Sequence, residues 1–152
     1  NINIKNNGGM VRNIGINYLI DNKIESKYIG FLDDDDTIHP EYINNLLKEE
    51  ELFNFDCIIF RMMYKNYNII PHPLTTKIEM KNVGISFALK YEIINNEDFR
   101  FINHPYEDYV FVNKVKNNKK KILISKFVNY FVRTNFEICK NKIKIYSNIL
   151  IG

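Results

Sequence analysis

Apolar residues along this chain fall into short blocks, and their spacing switches between a helical and an extended repeat. Val11, Ile14, Tyr18 and Leu19 recur at helical intervals, which predicts a helix over 11–20, directly after Gly8 and Gly9. Residues 28–32 (Tyr28, Ile29, Gly30, Phe31, Leu32) form an apolar run the length of a buried strand, and it stops abruptly at four aspartates, Asp33, Asp34, Asp35 and Asp36. Pro40 suits a first helical position and Glu41 suits the positive end of a helix. Tyr42, Ile43, Leu46, Leu47 and Phe53 carry that helix on, with Glu49, Glu50 and Glu51 on its wet side. Cys57, Ile58, Ile59 and Phe60 read as a second buried strand. The stretch 64–82, with Pro71 and Pro73, has no clear period and reads as loop or edge structure. Residues 83–94 fit either strand or helix. A helix is expected over 107–116, then strands at 122–124 and 127–132 after the turn residues Asn117 and Asn118.

Helices alternating with buried strands indicate an α/β domain with a mixed sheet. A length of 152 residues suits one domain with a real core, and residues 1–152 are taken as a single unit. Composition adds little to this picture. Asn, Ile and Lys fill 65 of the 152 positions, so a single Asn or Lys carries little information. The net charge of +3 is small, and the basic run Lys119, Lys120, Lys121 reads as a solvated loop, so no nucleic-acid partner is expected. No stretch reaches the roughly 18 apolar residues of a membrane span, and no signal-peptide pattern opens the chain. Cys57 and Cys139 have no CxxC partner and no nearby histidine, which favours a reducing, cytoplasmic setting over a zinc or redox site. The chain begins without Met in a polar segment, and a fragment or processed product is expected.

The four aspartates carry the most chemistry. Ligands of open α/β sheets bind at the carboxyl ends of strands, and four like charges placed there repel one another unless a cation neutralises them. Hard carboxylate oxygens suit Mg²⁺ or Mn²⁺, which typically bridges protein carboxylates to substrate phosphates. A solvated acidic loop that caps the helix after Pro40 accounts for the same residues without a ligand.

Gly9, Arg12, Asn13 and Gly15, followed by the apolar strand, the aspartates at 33–36 and Pro40, together resemble family-2 glycosyltransferases in order and spacing. The resemblance implies a GT-A-like (Rossmann-like) mixed sheet flanked by helices, a nucleotide-diphosphate sugar donor and a divalent metal, Mn²⁺ or Mg²⁺. It puts Asp33 and Asp35 in the two Asp-x-Asp places, with Asp35 nearest the metal, Asp33 also a candidate ligand, and Asp33 or Asp34 near ribose or sugar. Arg12 matches a position near the donor; a surface charge at a helix start is the plainer account of it.

Phe99, Phe101, Tyr106, Glu107, Asp108 and Phe111 resemble the same family's Glu-Asp segment. An inverting transfer needs a carboxylate to take the proton of the attacking hydroxyl. The resemblance assigns that role to Asp108, with Glu107 orienting loop or acceptor. Acidic residues at a helix start also need no reason beyond the dipole. Tyr130, Arg133 and Asn135 resemble a late Tyr-x-Arg-x-His segment in which Asn135 replaces the histidine, leaving a third metal ligand open. Arg133 there either pairs with a diphosphate oxygen or neutralises a carboxylate. His39, His72 and His104 read as polar or capping residues.

The resemblance covers residues 9–133. It divides the chain into a donor and metal part over about 1–61 and an acceptor and base part over about 62–152, with the family's first strands missing. The acceptor, whether glycan, lipid-linked or protein, is not readable. Two other readings compete. Phe31, Leu32, Asp33, Asp35, Thr37 and Ile38 also resemble the first motif of haloacid-dehalogenase-type phosphatases, with Asp33 as nucleophile and Asp35 as acid/base; that reading leaves Arg12, Pro40, Glu107 and Asp108 unexplained. The third is a truncated domain without catalysis.

Overall fold

A central strand buried on both sides organises the molecule. In the computed structural model, which describes residues 8–96 and 99–151, the elements run α1 (Gly8–Asp21), β1 (Tyr28–Gly30), β2 (Thr37–Ile38), α2 (Tyr42–Leu52), β3 (Cys57–Tyr64), β4 (Ile69–Ile70), β5 (Phe87–Lys90), α3 (Tyr91–Ile94), α4 (Glu107–Asn117), β6 (Ile122–Val132) and α5 (Phe136–Ile151). Seven of the eight residues of β3 are buried, as its unbroken apolar run requires of a strand covered on both faces. Its side chains alternate: Cys57 and Ile59 join one core cluster, Ile58 and Phe60 the other.

The sheet order is β1-β5-β3-β6-β2, with β4 added to β3. β3 and β6 are parallel, and the other pairs are antiparallel, so the sheet is mixed as expected. Helices α1 and α4 pack on one face through Ile16, Phe111, Val112 and Val115. The opposite face carries α2 through Tyr42 and Leu46, and α5 through Cys139. Both cysteines are buried and unpaired.

Several expectations shift. The helix over 11–20 forms, but Val11, Ile14 and Tyr18 are exposed, and Ile16 with partly buried Leu19 and Ile20 makes the packing face. The first strand ends at Gly30, so Phe31 and Leu32 lie in the approach to the aspartates. Residues 122–132 make one continuous strand, with pairing irregularities opposite Arg61. The ambiguous stretch resolves into both types, strand at β5 and one helical turn at α3. The loop after β4 is held from within. Buried Arg61 donates to the carbonyls of Pro71 at 2.9 Å and His72 at 2.8 Å.

A column of aromatic rings fixes the ends that matter for the site. Phe101 stacks on Phe111 with centroids 4.4 Å apart, and Phe31 meets Phe101 edge-on at 5.3 Å. Phe31 stands two residues before the aspartates and Phe111 one turn after Glu107, so the column holds the acidic loop and the start of α4 together.

Candidate active site

Arg12, on the second turn of α1, joins the two carboxylate sets. Its Nη2 donates to Asp33 Oδ1 at 2.7 Å, and its Nη1 donates to Glu107 Oε1 at 2.7 Å and Asp108 Oδ1 at 3.2 Å. The side chain is 11% exposed and lies 5.4 Å from the Phe101 ring centroid. Neighbouring Asn13 anchors the same helix. Its amide donates to Phe101 O at 2.8 Å, and its Oδ1 accepts from Phe101 N–H at 2.9 Å. This reciprocal pair explains why Arg and Asn occur side by side: one reaches the charges, the other fixes the segment leading to them.

Gly9 makes the approach possible. A Cβ there would lie 2.8 Å from Glu107 Oε2 and 2.8 Å from Phe101 Cβ, closer than real contacts allow. Gly15 has no such role, because a Cβ there meets nothing within 4 Å.

The aspartates occupy a tight turn, with Asp36 N–H donating to Asp33 O at 3.2 Å. Asp33 N–H donates to the Tyr130 hydroxyl at 3.1 Å, and that hydroxyl also bonds the Asp36 carboxylate. Tyr130 is fully buried on β6. Burial and the adjacent carboxylates push its phenol pKa up, so it stays protonated and available as a donor. Asp36 is also raised, first by desolvation, against lowering bonds from Tyr130 and the Arg133 N–H. Asp35 is exposed, and its Oδ2 accepts from Arg133 Nε at 2.9 Å. Asp34 is exposed in the turn.

Asp108 is the group whose acidity matters most. Desolvation raises its pKa from 3.8 to about 6; Arg12 opposes the rise, and the charges of Glu107 and Asp33 add to it. Arg12 is desolvated as well, which alone lowers its pKa, but the bond to Asp33 and the charges of Asp108, Asp33 and Glu107 win and raise it. The cluster therefore holds one fixed cation against three carboxylates.

Of the residues singled out in the sequence, Arg12, Asp33, Glu107 and Asp108 come together. Asp34 and Asp35 lie on the outer side of the turn. Each histidine accepts a backbone N–H two residues on through Nδ1: Glu41 to His39 at 2.9 Å, Leu74 to His72 at 3.3 Å and Tyr106 to His104 at 3.0 Å. His39 and His104 do so just ahead of α2 and α4, and His72 does so within the loop after β4. Tyr130, which the sequence offers only as part of the late motif, also joins the site, because its hydroxyl accepts from Asp33 N–H.

Among the described residues, no three or more His, Cys, Asp or Glu are grouped to hold a metal ion. The donor chemistry at the turn suits Mg²⁺ or Mn²⁺ through one or two carboxylate oxygens, with phosphate and water oxygens completing the shell. Asp35 is an accessible carboxylate of the turn, whereas Asp33 is committed to Arg12.

No family model matches the sequence, and no curated protein matches it. Solved structures do match. The structure of Staphylococcus aureus TarS 1–349 superposes with a TM-score of 0.65 at 17% identity, over 94% of this chain and 44% of that one. The same protein in complex with UDP gives 0.63 at 17% identity over 94% and 44%, and in complex with UDP-GlcNAc 0.63 at 17% identity over 84% and 39%. The chain spans less than half the length of these structures. At this identity the likeness is one of architecture: a curled mixed sheet flanked by helices, the GT-A-like fold.

Proposed function

We propose that this chain is the carboxylate-bearing part of a glycosyltransferase that moves a sugar from a nucleoside-diphosphate sugar to an acceptor hydroxyl with inversion. The observation that carries the reading is Arg12, which ties Asp33 of the acidic turn to Glu107 and Asp108 at the start of α4. The fold it shares with TarS, solved with UDP and UDP-GlcNAc, supports the donor class.

In this reading the Asp108 carboxylate takes the proton of the acceptor hydroxyl. The freed oxygen attacks the anomeric carbon, and the bond from that carbon to the diphosphate breaks on the opposite face, its electron pair leaving with the nucleoside diphosphate. A carboxyl pKa of about 6 keeps Asp108 ionised at neutral pH yet more basic than an ordinary aspartate, as a general base requires. Arg12 holds it in place, Glu107 orients the loop or the acceptor, and Asp33 or Asp34 faces the ribose or sugar. Asp35, with Asp33 beside it, would hold Mg²⁺ or Mn²⁺ together with the donor diphosphate. Such a cation supplies positive charge against the leaving group. Residues up to about 61 form the donor part, and those after it form the base part. Among the described residues no helix is long and apolar enough to cross a membrane. Two buried unpaired cysteines fit a cytoplasmic setting.

The test is titration of the protein with UDP and a panel of nucleoside-diphosphate sugars, followed by measurement of nucleoside-diphosphate release. Saturable binding with slow sugar release is expected. Absence of binding by every member of the panel would overturn the proposal.

A further inference from the structure

Strand β3 runs buried from Cys57 to Met63 and emerges only at its last residue, Tyr64. Met62 belongs to the core beneath α1 and α4, and Met63 to the core beneath α5. Tyr64 therefore returns to the α1 and α4 side, where it packs partly buried against that core. Tyr130, whose hydroxyl meets Asp33 and Asp36, lies on the same side opposite Met62. Tyr64 pairs with Val132, two residues beyond that pair. Its Cα thus stands about 7 Å further toward the carboxyl ends of the parallel strands, where ligands of α/β sheets bind.

The backbone of Tyr64 is fixed while its side chain is not. Its N–H donates to Asn68 O at 2.9 Å, and its carbonyl accepts from Tyr67 N–H at 2.8 Å. Among the described residues its hydroxyl has no hydrogen-bond partner. Burial pushes the phenol pKa upward, and the charges of Asp36 and Asp108 add to the rise. Those carboxylates belong to different sets, one in the acidic turn and one at the start of α4. The phenol is within electrostatic reach of both, protonated and uncommitted.

We infer that Tyr64 contacts the transferred sugar of the donor, its hydroxyl bonding a hydroxyl or ring substituent of that sugar and helping to select which sugar is accepted. The inference rests on the donor class and on the base, Asp108, proposed above. Inversion puts the anomeric carbon between the departing diphosphate and the attacking oxygen. In that reading the turn at 33–36 faces the first and Asp108 the second. A side chain that feels both ends of this line lies beside the sugar ring. A phenol suits that place, because it both donates and accepts, as sugar hydroxyls do, and adds no charge next to the carboxylates. A rigid strand end also holds it without the ordering cost of a loop residue.

The experiment measures binding of UDP, UDP-GlcNAc, UDP-glucose and UDP-galactose by calorimetry to the wild-type protein and to Tyr64→Phe, which loses only the hydroxyl. Thermal melts of the two proteins confirm that both are folded. Tyr64→Phe should weaken the UDP-sugar that wild type binds most tightly by about 3- to 10-fold, the range for one lost hydrogen bond. UDP affinity should be unaltered, and the preference among the three UDP-sugars should narrow. Unchanged affinity for every UDP-sugar overturns the inference. An equal loss for UDP and the UDP-sugars overturns it too, since that marks a structural role or a contact with the nucleotide. A wild-type protein that binds neither UDP nor any of the UDP-sugars overturns the uridine donor itself, and the role of Tyr64 falls with it.

Discussion

Arg12 Nη1 lies 3.2 Å from Asp108 Oδ1 across 96 positions of sequence, and this contact sets the acidity of the candidate base. Desolvation lifts the Asp108 pKa to about 6, and Arg12 is the one charge that pulls it down. A base must be ionised, so transfer activity is expected to rise with pH through about 6 and then level. Arg12→Gln removes the lowering charge and should move that midpoint upward. A pH–rate profile of the two proteins checks it, and an unmoved midpoint removes Asp108 as the titrating group. The same shift acts on stability. With the folded pKa above the ordinary 3.8, the native state holds the proton more tightly. The stabilisation is complete below about pH 4 and is lost as pH rises through about 6.

The two glycines of the Arg-Asn segment make opposite predictions. Gly9→Ala drives a methyl into Glu107 and Phe101, where a Cβ would sit 2.8 Å from each. Overpacking of this kind typically costs about 1–3 kcal/mol, and the displaced Glu107 should lower activity too. Gly15→Ala places its methyl in open space in the interior of α1. It should stabilise by about 0.5–1 kcal/mol through helix propensity alone. Thermal melts of both variants test the pair; destabilisation by Gly15→Ala would contradict the open geometry around it.

What the sequence made legible depended on local chemistry. Arg12, Asp33, Glu107 and Asp108 were readable because each sits in a short pattern of charge and aromatic residues, and the fold brings those patterns together. The packing face of α1 was not. Val11, Ile14 and Tyr18 share helical spacing with one another, and so do Ile16, Leu19 and Ile20, so periodicity finds two apolar faces and cannot rank them. Helix α5 stayed hidden for a related reason. Lys142, Ile143, Lys144 and Ile145 alternate like a strand, although burial follows Phe136, Cys139, Ile143 and Tyr146 at helical spacing. Tyr130 is legible only as part of the late motif, and the bond from Asp33 N–H to its hydroxyl comes from the fold.

Asp35 bears on the cation. Its carboxylate is accessible and tied to the protein by one exposed ion pair. In the presence of UDP, Mn²⁺ or Mg²⁺ should bind the wild-type protein and bind Asp35→Asn at least 10-fold more weakly. Stability should be nearly unaltered, because exposed pairs contribute only about 0–1 kcal/mol. Calorimetry with and without UDP reads both. Equal cation affinity in the two proteins would remove Asp35 from that role.

The sharpest separation of roles comes from Asp108→Asn. The substitution keeps the size of the side chain and its ability to accept a bond from Arg12, but the amide cannot take a proton. Losing a general base typically lowers the rate about 100- to 10,000-fold. Donor affinity rests on other residues in this reading, Asp33 and Asp35, so UDP binding should stay within about threefold of wild type, a difference worth roughly 0.6 kcal/mol. The Arg12 network offers a built-in control. Asp108→Asn removes one of three carboxylates around a single guanidinium, which relieves charge imbalance rather than creating it. The variant should therefore melt at or above the wild-type temperature at neutral pH, where the native Asp108 is ionised against its desolvation penalty. Activity and stability thus move in opposite directions if Asp108 is the base. Loss of both would mark Asp108 as a structural member of the cluster, and retained activity would hand the proton-accepting role to Glu107, whose carboxylate shares the same Arg12 nitrogen at 2.7 Å.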